Sequence, residues 1–192
     1  ELSMKAINLD NARRLLAELV ARPTVNPMGS PYDGDRPVER PCVEFIAALF
    51  APYGVEMERQ AVSDLHESLL VKVPGRHPGP ITLLESHVDT VPADDWLESA
   101  FEPRVAGDVM YGRGTCDDKG PLAAMILAVQ ELLENGKLPP LPVWLLAAGD
   151  EECSLLLHAV GERHRDGALD GVDAMAGGDQ AAGAARDALA LI

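Results

Sequence analysis

Apolar positions along this chain fall into two spacings that alternate from end to end. Leu15, Leu16, Leu19 and Val20 recur at helical intervals, as do Phe45, Ile46, Leu49 and Phe50. Asp10 is placed to cap the first of these helices, which stops near Pro23. The second ends at Tyr53-Gly54. A loop rich in Pro, Gly and Asp joins them over residues 26–41. Residues 55–62 and 68–73 read as strands, with Pro74-Gly75 as a turn. Residues 81–85 form a strand of buried type, and 109–111 a shorter one. Pro121 opens a long helix over 122–134, closed by Asn135-Gly136. A buried strand follows at 143–148, then a helix at 155–165 and a last strand at 172–176. This order predicts an α/β fold: a three-layer sandwich with helices on both faces of a mostly parallel, mixed sheet. No internal repeat is visible, and the tail over 181–192 is alanine-rich.

In such sheets ligands sit beyond the carboxyl ends of the strands. There the chain places its metal-binding residue types. His87 and Asp89 follow the strand at 81–85. Glu151 and Glu152 follow the strand at 143–148, and Asp179 follows the strand at 172–176. His87 and Asp89 are two apart, so on extended backbone both side chains point to one face. One can bind a metal while the other orients it. Asp117 stands 30 residues after His87 in a glycine-flanked loop. Glu151 and Glu152 are adjacent, so their side chains diverge; that suits one ligand and one general base. His, Asp and Glu donors together suit zinc, with manganese or cobalt as substitutes. Each piece alone has an ordinary structural explanation. The ordered combination points to a metal site.

Composition narrows the partners. The chain has 192 residues, enough for one domain with a real core. Its net charge of −15 argues against binding nucleic acid or an anionic membrane surface. No apolar run reaches the length of a membrane span. Cys42, Cys116 and Cys153 are scattered and odd in number, which fits neither a disulfide framework nor a zinc finger. Cys116 and Cys153 read as small residues in tight loops, and the scattered set fits a reducing cytoplasm. Glu1-Leu2-Ser3 before Met4 reads as an added leader, with native residues expected from Met4.

The segments SHVDTVP, the Trp96 stretch, YGRGTCDDKGP, GDEE and DAMAGGD together resemble the zinc amidohydrolase family. That family includes acetylornithine deacetylase, succinyl-diaminopimelate desuccinylase, carboxypeptidase G, aminoacylase and carnosinase-type dipeptidases. The resemblance runs from about Leu9 to Asp179 and implies a zinc-aminopeptidase-like fold with two zinc ions. It implies that His87 binds the first zinc and that Asp89 orients it. Asp117 would bridge both ions, with a cis peptide bond after it. Glu151 would be the general base, Glu152 a ligand of the second zinc, and Asp179 would complete the first. The implied reaction is hydrolysis of an amide bond in an N-acyl amino acid or small peptide.

The chain departs from the family pattern in two places. The resemblance implies a lid domain and a later His that completes the second zinc, yet no His follows Asp179. The chain is therefore expected to be a truncated part of the catalytic domain, with weak or absent activity alone. Self-association, or pairing with the missing C-terminal part, is expected to cover an exposed sheet edge. After GDEE the family has a small glycine-rich turn, whereas this chain has Cys153-Ser154-Leu155-Leu156-Leu157-His158. His158 reads as either a substitute ligand or an ordinary helix residue. His66, His77 and His164 read as ordinary surface or core histidines.

Overall fold

A computed structural model describes residues 8–153, apart from Asp33, Asp35, Asp95, Asn135 and Lys137. Asp179, His158 and the elements expected over 155–165 and 172–176 lie outside the described residues.

Helix α1 (Leu9–Val20) buries Leu15, Leu19 and Val20. Its N-cap is Asn8, not Asp10: the Asn8 side chain accepts the N–H of Asp10. The cap and the helix start lie two residues earlier than expected, which moves Asp10 into the first turn. There its charge still favours the helix N-terminus. Helix α2 (Arg40–Phe50) turns Cys42, Val43, Ile46 and Phe50 inward and ends through a short 3-10 turn at Gly54.

Strands β1 (Glu56–Ala61) and β2 (Glu67–Val73) form an antiparallel hairpin. Strand β3 (Thr82–His87) leads into the loop that carries Asp89. A four-residue helix, α3 (Leu97–Ala100), precedes a small separate hairpin of β4 (Arg104–Ala106) and β5 (Val109–Tyr111). Helix α4 (Lys119–Glu134) and strand β6 (Val143–Ala148) complete the described chain.

The main sheet runs β1-β2-β6-β3. Among the described strands only β3 and β6 are parallel; the pairings β1–β2 and β2–β6 are antiparallel. The sheet is therefore mixed as expected, but parallel pairing is confined to one side. The short link between β1 and β2 permits only a hairpin, because a parallel partner needs a long crossover. Strand β3, expected to be buried, is the edge of the described sheet, and Leu83 is 46% exposed there.

Alternation along β2 and β6 sends Leu69, Val71, Val73, Leu145 and Ala147 to one face. Helices α1, α2 and α4 cover that face, with Phe50, Leu122, Ile126 and Val129 fully buried. Leu70, Leu146 and Ala148 cluster on the other face with Trp144. No described helix is long and apolar enough to cross a membrane.

Two features of this packing deliver the chemistry. The parallel register pairs His87 with Ala148, so the loops after β3 and β6 leave the sheet side by side. The N-terminus of α4 is tied to the end of α1 by Lys119. Its ammonium, fully buried, donates to the carbonyls of Leu19 at 3.1 Å and Arg22 at 2.8 Å. No basic residue stands in the last turn of α1. Lys119 supplies the cation that a helix C-terminus favours, and it fixes where Asp117 and Asp118 begin.

Candidate metal centre

His87 ends β3 with 8% of its surface exposed. Its ring is held from both sides. Nδ1 lies 3.0 Å from the carbonyl oxygen of Asp89 and 3.5 Å from that residue's carboxylate. Nε2 lies 2.9 Å from Asp117 Oδ1 and 3.8 Å from Glu151 Oε2. The peptide bond between Asp117 and Asp118 is cis, as the resemblance implied. The two side chains part company there. Asp117 faces His87, while the Asp118 carboxylate accepts the Ser86 hydroxyl at 2.5 Å.

Glu152 enters from the loop after β6, and its carboxylate accepts the N–H of Val91 at 3.2 Å. One donor atom each from His87, Asp117 and Glu152 gather within 4.8 Å of one another. That spacing admits a single ion among one imidazole and two carboxylates, the donor chemistry of zinc. No Lys or Arg among the described residues pairs with Asp117, Glu151 or Glu152. The residues present therefore fit a divalent cation. Glu151 stands outside the three-donor group.

Asp89 is fully buried and is the hub of the arrangement. Its Oδ1 accepts the N–H of Glu151 and its Oδ2 the N–H of Glu152, both at 3.2 Å. Burial alone would raise its pKa. The hydrogen bonds from His87, Asn26 and Glu152 outweigh burial and hold the carboxyl below the usual range. Glu152 shifts the other way, because partial burial raises it and neighbouring carboxylates add to the effect.

Burial would depress His87, but Asp89, Asp117 and Glu151 overcome it and push its pKa from 6.5 up to about 10. In the metal-free protein the imidazolium is thus the counter-ion of the cluster, and a metal at Nε2 must displace that proton. A folded pKa above the unfolded one stabilises the protein fully below pH 6.5, and this contribution is lost as pH rises through about 10. The stability of chelator-treated protein, measured by thermal melts, is expected to fall over that window relative to His87→Gln. A constant difference between the two proteins would contradict the assignment.

Sequence reasoning missed four residues that build the wall behind this cluster. Asn26, Glu39, His66 and Asp150 are all buried, at 1%, 0%, 6% and 4% exposed. His66 was read as an ordinary histidine; it is a core residue, but one clasped between Glu39 at 2.7 Å and Asp150 at 3.4 Å. A signal was available for one contact. Gly149 precedes Asp150, and a Cβ there would lie 2.4 Å from the Glu67 carbonyl oxygen and 2.8 Å from the Glu39 carboxyl carbon. Only glycine fits; adding a methyl group to such a packed contact costs about 1–3 kcal/mol.

Known proteins resemble this chain in sequence and in fold. Residues 83–189 match the model of peptidase family M20/M25/M40. Succinyl-diaminopimelate desuccinylase of Alkalilimnicola ehrlichii is 30% identical over 141 residues, covering 72% of this chain and 34% of that protein. A probable succinyl-diaminopimelate desuccinylase of Staphylococcus aureus is 33% identical over 111 residues, covering 56% of this chain and 27% of its own length. Among solved structures, human carnosine dipeptidase 1 superposes with a TM-score of 0.68 at 22% identity, over 85% of this chain and 37% of that one. An M20 family metallo-carboxypeptidase from Sulfolobus solfataricus gives 0.64 at 23% identity, over 84% of this chain and 36% of its own. These two likenesses establish the fold. The chain spans about a third of the length of the curated relatives it matches.

Proposed function

Because this chain belongs to peptidase family M20/M25/M40, we propose that it forms the metal centre of a hydrolase acting on amide bonds in N-acyl amino acids or small peptides. The observation that carries this reading is the convergence of His87, Asp117 and Glu152 donors, with Glu151 beside them and outside the ligand group. His87, Asp117 and Glu152 would hold zinc, with cobalt or manganese as substitutes. Asp89 orients His87. Asp179 would add a further carboxylate to the ligand set in this reading, and the family's second zinc would also draw on this group of carboxylates.

When bound, a divalent ion supplies positive charge that acidifies water and polarises a carbonyl. The chain's own residues then divide the work. Glu151 takes a proton from the attacking water. A new C–O bond forms at the amide carbon, and the C–N bond breaks. Glu151 returns the proton to the leaving nitrogen, giving a carboxylate and an amine. Asp89 keeps the ring of His87 fixed and the backbone of Glu151 in register throughout.

A panel of N-acetyl- and N-succinyl-amino acids and dipeptides tests the proposal. Chelation is expected to reduce hydrolysis to background, and added zinc to restore it. Hydrolysis indifferent to chelation but abolished by thiol alkylation would overturn it. A second reading is a chain that keeps the fold and one ion without turnover. The three-donor group, which has room for one ion among the described residues, is the observation behind this alternative. Zinc binding with no hydrolysis of any panel member would select it.

A further inference from the structure

A buried polar clasp lies beside the group of His87, Asp117 and Glu152 and holds Asp89 and Asp150. It begins in the loop after α1. There the backbone N–H of Asn26 donates to the Thr90 carbonyl at 2.8 Å, and the N–H of Thr90 donates to the Thr24 carbonyl at 2.9 Å. The Thr24 hydroxyl donates to the Val88 carbonyl at 2.5 Å. This segment thus lies along the His87–Thr90 backbone like a short extra strand, through the parallel bridge of Val25 to Thr90.

Anchored there, the Asn26 carboxamide donates to two carboxylates from different loops. It gives one 2.9 Å hydrogen bond to Asp89 Oδ2 and another to Asp150 Oδ1. Its own oxygen accepts the N–H of Met28 at 2.9 Å. Asp150 also faces His66 Nε2, and its backbone is left-handed, with φ of 63°. A non-glycine residue in that region persists only when its surroundings hold it. His66 is fixed in turn by Glu39, whose second oxygen accepts the N–H of Glu67 at 3.0 Å. Arg40 pairs with the Glu67 carboxylate.

We propose that Asn26 and His66 are positioning residues for the metal centre: they pin Asp89 and Asp150, and through these they set where Glu151 and Glu152 leave the sheet. The chemistry explains why these residue types stand there. Asp89 and Asp150 are buried carboxylates near a third, Glu39, and unpaired charges in such a place cost several kcal/mol. A carboxamide offers two N–H donors and bridges two acids at once. An imidazole spans Asp150 and Glu39 with its two nitrogens. Asp89 meanwhile uses both oxygens on the N–H groups of Glu151 and Glu152. A shift of Asp89 is therefore felt by the base and by a ligand together.

The inference rests on the metal-centre reading, and the test separates the two. Zinc affinity of the purified chain is measured by competition with a chromogenic chelator, alongside thermal stability. Three variants are compared with the parent. Asn26→Ala removes both donors. His66→Gln keeps the bulk of the side chain and part of its hydrogen-bonding capacity. Val129→Ala truncates the α4 core, far from the clasp, as a control for general destabilisation.

Loss of partners behind ligands typically costs about 10–100-fold in metal affinity. Asn26→Ala is expected to fall in that range, His66→Gln to lose less, and Val129→Ala to bind as the parent does despite melting earlier. Unchanged affinity in both clasp variants, with a parent that binds zinc, would overturn the inference and leave the metal centre standing. Equal affinity loss in Val129→Ala would also overturn it, by tracing the effect to stability. A parent that binds no zinc would overturn both. If Asn26→Ala does not fold, the His66→Gln comparison decides alone.

Discussion

Replacing Glu151 with glutamine is expected to reduce turnover by about 10²–10⁴-fold, the contribution of a positioned acid–base group, while zinc binding stays near the parent value. The separation follows from the site. Glu151 lies outside the three-donor group and approaches His87 only to 3.8 Å. Glutamine keeps the length of the side chain and the backbone N–H that Asp89 accepts, so the geometry survives. Only the proton acceptor is lost. Steady-state kinetics on the active enzyme, with metal content checked in the same samples, measures this. A variant that hydrolyses at the parent rate would remove Glu151 from the chemistry. One that loses zinc in proportion to activity would make it a ligand instead.

His87→Ala is expected to weaken zinc binding by at least about 100-fold, beyond the upper end of the loss seen when a supporting partner is removed. Among the described residues the imidazole is the only nitrogen donor in the cluster. Without it Asp117 and Glu152 remain as two carboxylates, a set closer to the oxygen-rich sites of magnesium or calcium. The variant should therefore lose zinc preference as well as affinity. Competition titrations with zinc and magnesium on parent and variant check both effects. Equal zinc affinity in the two proteins would show that His87 is a structural histidine.

The fold and the centre were legible in the sequence to different depths. Strand β6 and helix α4 carry long apolar patterns, and their positions follow from periodicity to within three residues. His87, Glu151 and Glu152 stand out because the α/β pattern gives strand ends a meaning before any coordinates exist, and Asp117 because it sits in a glycine-flanked loop. The pairing of β2 with β6 was not legible. Both strands are largely buried on both faces, and side-chain alternation says nothing about which strands pair or in which direction. Strand β3 misled because Leu83 and Leu84 are apolar, whereas its first two residues are exposed at the sheet edge.

The clasp was invisible for a different reason. Asn26 meets Asp150 across 124 positions, and His66 meets Glu39 across 27. A single Asn in a Pro-rich loop or a single His after an Asp carries no period and no motif. Its meaning arises only when the loop is laid beside Thr90. Gly149 was the one local trace, since a glycine at the end of a buried strand marks a close approach of something from elsewhere.

Zinc per chain, determined by elemental analysis after exhaustive dialysis of the parent and of Glu152→Ala, tests the central claim most directly. The account predicts a tightly held ion in the parent and its loss from the variant, because Glu152 is one of the three donors that would hold it. A parent without zinc, or a variant that retains the parent's full complement, would contradict it.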